Sequence, residues 1–157
     1  MIRRIHLESD AGTLSSCLFP KRAAQNRFIL VIDDSPTVRK IIEVCLSRKG
    51  FEVESYPDGI EALRTFTNDP QKRIPHLVIV DIDLPRMNGY EIARFLRAKP
   101  QWKQTVIVML SRHTGILEQL KARLAGTQAY ITKPFTTEMI TEVVIRLLGL
   151  SSVSIEG

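Results

Sequence analysis

The chain has 157 residues, 44% of them apolar and 25% charged, with a net charge of +5. That suits one globular domain with a single core. No apolar run approaches the ~20 residues of a spanning helix, which argues against a membrane protein.

The opening stretch, "MIRRIHLESD", carries charge but no apolar run behind it. No secretory signal is read there, and a cytoplasmic location is expected. Residues 1–26 show no clear period and are read as a basic extension, disordered or partly helical. Up to Arg27 the chain holds Arg3, Arg4, Lys21, Arg22 and Arg27 against Glu8 and Asp10, which is +3 of the +5. Such a tail is most simply a solvated extension, with no aromatics interleaved as a single-strand nucleic-acid binder needs. Cys17 and Cys45 make neither a metal spacing nor a disulfide framework. Cys45 reads as a core residue.

From Phe28 short β-type runs alternate with amphipathic stretches of helical length. The runs are "FILVID" (28–33), "FEVESY" (51–56), "HLVIVD" (76–81), "TVIVML" (105–110) and "AYIT" (129–132). Those at 28–32, 77–80 and 106–110 are continuously apolar, as strands buried on both faces of a parallel sheet are. The first helix presents Val38, Ile41, Ile42, Cys45 and Leu46 at helical spacing, capped by Ser35, with Pro36 in its first turn and Gly50 at its end. Asp58 with Glu61, and Asn88 with Glu91, have capping-box spacing. They open helices through Leu63 and Phe66, and through Ala93 and Leu96. Trp102, after Pro100, is read as a loop residue packing on a helix end. A fourth helix carries Ile116, Leu117, Leu120 and Leu124. A fifth carries Met139, Ile140, Val143, Val144, Leu147 and Leu148, and stops at Gly149. The domain is thus read as 27–150, with a short tail at 151–157.

Five β-α units in strict alternation predict an α/β fold, a doubly wound parallel sheet with right-handed crossovers. Ligands in such folds bind at the C-terminal ends of the strands, where strand order reverses. The polar residues that interrupt the apolar runs all fall at that edge. Asp33 and Asp34 end the first strand and Asp81 the third; Ser111 follows the fourth and Lys133 the fifth. Three carboxylates gathered there repel one another unless a cation intervenes. Mg²⁺ is the fitting one, because it takes oxygen ligands and needs only one or two carboxylates beside a phosphate. A metal, a lysine and a hydroxyl around one aspartate make an apparatus for phosphoryl transfer, with the aspartate as nucleophile.

"VIDDSPTVRK", "VIVDIDLPRMNGYE", "VIVMLS" and "YITKPF", in this order, resemble the receiver domain of two-component response regulators, of the single-domain chemotaxis-regulator kind. The resemblance covers residues 28 to 149. It implies a flavodoxin-like five-stranded sheet of order 2-1-3-4-5 with five helices. It implies Asp81 as phosphoacceptor, and Asp33, Asp34 and Asp81 as Mg²⁺ ligands with the backbone carbonyl of Asp83. It implies Ser111 as switch hydroxyl, Lys133 as phosphoryl partner, a cis Lys133–Pro134 bond, and Tyr130 as the aromatic switch. Pro85 and Gly89 match the loop after the phosphoacceptor. Tyr130 also reads as a plain edge-strand aromatic, and Asp83 as a loop acid. His76 and His113 have no matched partner and read as structural or surface residues.

Two features depart from the family's pattern. Arg112 stands where a small residue usually follows the switch hydroxyl, and is read as modulating the phosphorylated lifetime. The basic extension is the other. The expected function is a stand-alone receiver phosphorylated by a histidine kinase or histidine phosphotransfer protein. It catalyses only its own phosphotransfer and autodephosphorylation. It would switch binding to a downstream effector, or to a second copy, through the face of the fourth helix, fifth strand and fifth helix. Direct DNA binding is not expected. The alternative is a pseudo-receiver scaffold that works without phosphorylation. "DIDLP" also matches the Asp-x-Asp motif of haloacid-dehalogenase-type phosphatases, but there the metal acids follow the nucleophile, whereas here the acidic pair precedes Asp81.

Overall fold

The computed structural model describes residues 24–150; the expectations for the N-terminal extension before Ala24 and for the tail at 151–157 lie outside the described residues. The elements are β1 (Phe28–Ile32), α1 (Pro36–Arg48), β2 (Glu52–Tyr56), α2 (Gly59–Asn68), β3 (Leu77–Asp81), α3 (Gly89–Arg97), a 3₁₀ turn (Pro100–Trp102), β4 (Val106–Ser111), α4 (Ile116–Leu124), β5 (Ala129–Thr132) and α5 (Thr137–Leu147). The five strands form one parallel sheet in the order β2-β1-β3-β4-β5. No helix of the described residues is long and apolar enough to cross a membrane.

Strand parity sorts the core into two layers. Phe28, Leu30 and Ile32 of β1, Val78 and Val80 of β3, and Ile107 and Met109 of β4 pack on the side of α2 and α3. Ile29, Val31, Leu77, Ile79, Val108 and Leu110 pack on the side of α1 and α5. Both faces of β1 and β3 are buried along their whole length, which is why these runs have no polar alternation. Each fully buried Leu, Ile or Val contributes about 1.5–3 kcal/mol.

The helix starts are set by local chemistry. The Ser35 side chain accepts from the Val38 N–H and caps α1. Asn88 and Glu91 form a complete capping box at α3. Asp58 accepts from the Ile60 and Glu61 N–H groups with one carboxylate oxygen, and its other oxygen accepts from Arg86. His76 is structural: its Nδ1 accepts the Phe28 N–H at 3.0 Å. Burial and the nearby Arg27 and Arg73 lower its pKa, which keeps that lone pair free to accept.

Three sequence expectations need correction. Trp102 is not a loop side chain resting on a helix end: it is fully buried in the core, edge-on to Phe66 with centroids 6.0 Å apart. The Arg97 guanidinium, bonded to the Trp102 carbonyl and to Gly126, closes the turn over it. The apolar stripe of α4 faces solvent. Ile116, Leu117, Leu120 and Leu124 are 82%, 70%, 47% and 79% exposed, and α4 rests on the sheet through Ala122. On α1, Ile42 and Leu46 are buried while Ile41 is exposed, so the core stripe is narrower than the sequence pattern.

Candidate functional site

Register assembles the site. Ile32 pairs with Val80, so Asp33 leaves β1 beside Asp81 at the end of β3. Asp81 pairs with Leu110, one residue before Ser111. Ser111 pairs with Thr132, one residue before Lys133. All of these lie at the C-terminal edge of the three central positions of the sheet and its β5 neighbour. Asp33, Asp81 and Ser111 are buried, and Asp34 is exposed.

Carboxylate oxygens of Asp33, Asp34 and Asp81 lie within 4.8 Å of one another. The Asp33 carboxylate is held on both sides: the Ser35 N–H donates to Oδ1 at 2.8 Å and Lys133 Nζ to Oδ2 at 2.9 Å. Arg39 donates to the Asp33 backbone carbonyl at 2.7 Å, which fixes the β1–α1 turn. Lys133 Nζ is also 3.4 Å from Asp81 Oδ2. The Lys133–Pro134 peptide is cis, and the Lys133 N–H donates to the Ser111 carbonyl at 2.7 Å. Burial and the Asp33 carboxylate raise the Asp81 pKa above its ordinary value, and they outweigh the pull of Lys133 and of the Asp83 N–H. Three oxygen-bearing anions so close, one of them held in an environment that disfavours its charge, form a donor set that suits a hard divalent cation. The Asp83 carbonyl is on the exposed loop that follows β3.

One residue that the sequence left without a role joins the others. The His113 N–H donates to Ser111 Oγ at 2.9 Å, and the His113 carbonyl accepts from the Tyr130 hydroxyl at 2.7 Å. The His113 ring sits 3.3 Å from Asp83 Oδ1. The β4–α4 loop is therefore bonded to Ser111, to Tyr130 and to the β3–α3 loop at once. Nothing in the sequence signals this, because the bonds use a backbone whose path only the folded loop sets. Tyr90 reaches from α3 to Glu118 of α4 at 2.7 Å. Burial and that carboxylate hold its phenol well above the usual range. A cleft of about 580 Å³ opens beside the acidic residues, lined by Asp34, Asp83, Leu84, Asn88, Tyr90 and His113 among others. Arg112 is exposed, and its side chain makes no hydrogen bond or ion pair with a described residue.

Gly89 closes the site from below. Its N–H donates to the Ile82 carbonyl at 3.0 Å. A Cβ there would lie 2.7 Å from the Asp81 carbonyl and 2.8 Å from Ile82 Cα.

Comparison with known proteins agrees with this architecture. The family model described as "Response regulator receiver domain" matches residues 29–145. Protein PilG of Pseudomonas aeruginosa is 34% identical over 110 residues, 70% of this chain and 78% of that one. Chemotaxis protein CheY1 of Helicobacter pylori is 35% identical over 122 residues, 77% of this chain and 96% of that one. Among solved structures, the chemotaxis response regulator CheY4 of Vibrio cholerae superposes with a TM-score of 0.71 at 30% identity, covering 77% of this chain and 98% of that one. The receiver domain of a sensor histidine kinase of P. aeruginosa, solved with a magnesium ion coordinated in the active-site cleft, gives 0.69 at 26% identity over 78% and 98% of the two chains. The order of the strands, the acidic edge of the sheet and these relatives agree: the chain belongs to the response regulator receiver domain family.

Proposed function

We propose that this receiver takes a phosphoryl group on Asp81 from a histidine kinase or a histidine phosphotransfer protein, in a Mg²⁺-dependent reaction in the cytoplasm. The observation that carries this reading is the buried Asp81 carboxylate, at a strand end, with Lys133 Nζ at 3.4 Å and two further carboxylates beside it. The magnesium coordinated in the related kinase receiver supports the choice of cation.

An Asp81 oxygen attacks the phosphorus of a phosphohistidine; the P–N bond breaks and the imidazole nitrogen leaves with the electron pair. Asp33 and Asp34, with the Asp83 carbonyl and Asp81 itself, would hold Mg²⁺, which when bound neutralises charge on the phosphoryl oxygens. Lys133, already between Asp33 and Asp81, turns its charge to a phosphoryl oxygen. Ser111 rotates to donate its hydroxyl to the same group. That rotation weakens its bond from the His113 N–H, frees the β4–α4 loop, and releases the Tyr130 hydroxyl from the His113 carbonyl to turn inward. The result is a shift between two states of the face made by α4, β5 and α5. That face would bind a downstream effector or a second copy. The chain is a signalling switch that catalyses its own phosphotransfer and dephosphorylation.

The test is phosphorylation by acetyl phosphate, followed by intact-mass spectrometry. One added phosphate is expected in the wild type, and none in Asp81→Asn or without Mg²⁺. If beryllofluoride also leaves the Ser111 and Tyr130 environments unchanged by NMR, a phosphorylation-independent scaffold replaces this reading.

A further inference from the structure

A second surface on α4 lies apart from the acidic edge of the sheet. Between Glu91 and Glu138 the sequence carries eight lysines and arginines and a single carboxylate, Glu118. Of the eight, only Lys121 and Lys133 pair with a carboxylate among the described residues. Arg97 is bonded wholly by neutral acceptors: the carbonyls of Gly126, Trp102 and Lys103 and the Gln128 side chain. Its charge, like that of exposed Arg94, is uncompensated. Glu118 is engaged by Tyr90 and Lys121.

Helical phase places the exposed leucines on the same flank. Crossovers in the sheet are right-handed and α4 runs antiparallel to the strands. Seen from its N-terminus, α4 therefore turns from the sheet to the β5 side, then to solvent, then to the α3 side. The same rule puts Tyr90 and Arg97 of α3 on the side facing α4, where their bonds to Glu118 and Gly126 find them. On α4, with Ala122 and Ala125 inward, Gln119 and Arg123 fall on the β5 side. Leu117 and Leu124 fall about a third of a turn the other way, toward α3, with Leu120 at the crest. The spacing 117, 120, 124 is the i, i+3, i+7 spacing of a helix-to-helix contact.

We propose that the α3–α4 flank docks an acidic amphipathic helix of a partner protein. Leu117, Leu120 and Leu124 supply the apolar contact, and Arg94, Arg97 and Lys121 the rim. The contiguous exposed leucines need a cover, and the local excess of positive charge selects an acidic one and steers its approach. A second copy placed face to face would oppose two equally positive rims. The flank lies on the opposite side of α4 from β5, so this docking surface is distinct from the face of α4, β5 and α5.

The experiment selects phage-displayed, helix-forming peptides of about 16 residues against the folded chain. The winners are then measured by fluorescence anisotropy. The expected winners carry apolar residues at i, i+3 and i+7 among Asp and Glu. Leu117→Ser/Leu124→Ser and Arg94→Glu are each expected to weaken them roughly tenfold or more. Gln119→Lys, on the opposite flank, should change affinity by less than about twofold, and higher salt should weaken binding. All substituted positions are solvent-facing, and a thermal melt checks that each variant folds. Basic or aperiodic winners overturn the proposal, as does binding that Gln119→Lys impairs and the leucine variant does not. A concentration-dependent dimer in sedimentation, lost in the leucine variant, overturns it in favour of a second copy.

Discussion

Asp81, the proposed phosphoacceptor, is also a liability to the fold without a cation. Burial and Asp33 disfavour its charge, so its folded pKa is raised. A raised pKa means the folded state binds that proton more tightly than the unfolded chain. The contribution to stability is fully present below the unfolded pKa and lost as pH rises through the raised value. Asp81→Asn mimics the protonated form at every pH. In EDTA the variant is expected to melt above the wild type at pH 7, with the gap shrinking toward pH 4. A reversed gap would show that the Lys133 pairing outweighs burial, and a gap constant with pH would show that folding leaves the Asp81 pKa unshifted. Arg112 belongs to the same scale. It is exposed, bonded to no described residue, and directly follows buried Ser111. We propose that its guanidinium modulates the phosphorylated lifetime, by meeting the phosphoryl oxygens or by blocking an attacking water. Autodephosphorylation of Arg112→Ala is expected to differ from wild type by a few-fold or more, on the order of 1 kcal/mol in barrier. Identical rates remove Arg112 from the account.

At the scale of elements, the position of α3 depends on one missing side chain. Gly89, its first residue, lies so close to the Asp81–Ile82 backbone that an added methyl meets atoms unable to rotate away. Gly89→Ala is expected to cost roughly 1–3 kcal/mol by overpacking. It should also slow phosphorylation, because the displaced backbone carries Asp81 and leads to the Asp83 carbonyl. Chemical denaturation and acetyl-phosphate kinetics check both; an unchanged midpoint refutes the close approach. The strands were legible in the sequence because burial on both faces leaves an unbroken apolar run, as at 28–32 and 77–80. Helix starts were legible where side chain and backbone bond locally, as at Asn88. The orientation of α4 was not, because helical periodicity identifies a stripe without saying which side meets the sheet. A small residue, Ala122, makes that contact, and the larger leucines stay outside. Trp102 misled for a related reason: a three-residue turn after a proline has no period to reveal its burial.

The molecule as a whole gathers its site from four strand ends. Asp33, Asp81, Ser111 and Lys133 were legible because a parallel sheet brings every such end to one edge. The His113 bridge between Ser111 and Tyr130 was not, since it exists only once the β4–α4 loop is folded against β5. This gathering makes global stability a reporter of the site. The carboxylates within 4.8 Å of one another repel in the folded state, whereas in the unfolded chain Asp81 is far from the other two. A cation that binds only the folded cluster stabilises the entire domain by RT ln(1 + [L]/Kd). At free Mg²⁺ tenfold above its Kd, that is about 1.4 kcal/mol. For a chain of this size the melting temperature should rise by roughly 3–6 °C. Asp33→Asn and Asp81→Asn each remove a proposed ligand and part of the repulsion, so both should lose most of the rise. Ca²⁺ tests the size of the site, since it demands more oxygen ligands than this cluster offers. A rise that survives in both variants would place the cation elsewhere, and with it the source of charge neutralisation for the phosphoryl group.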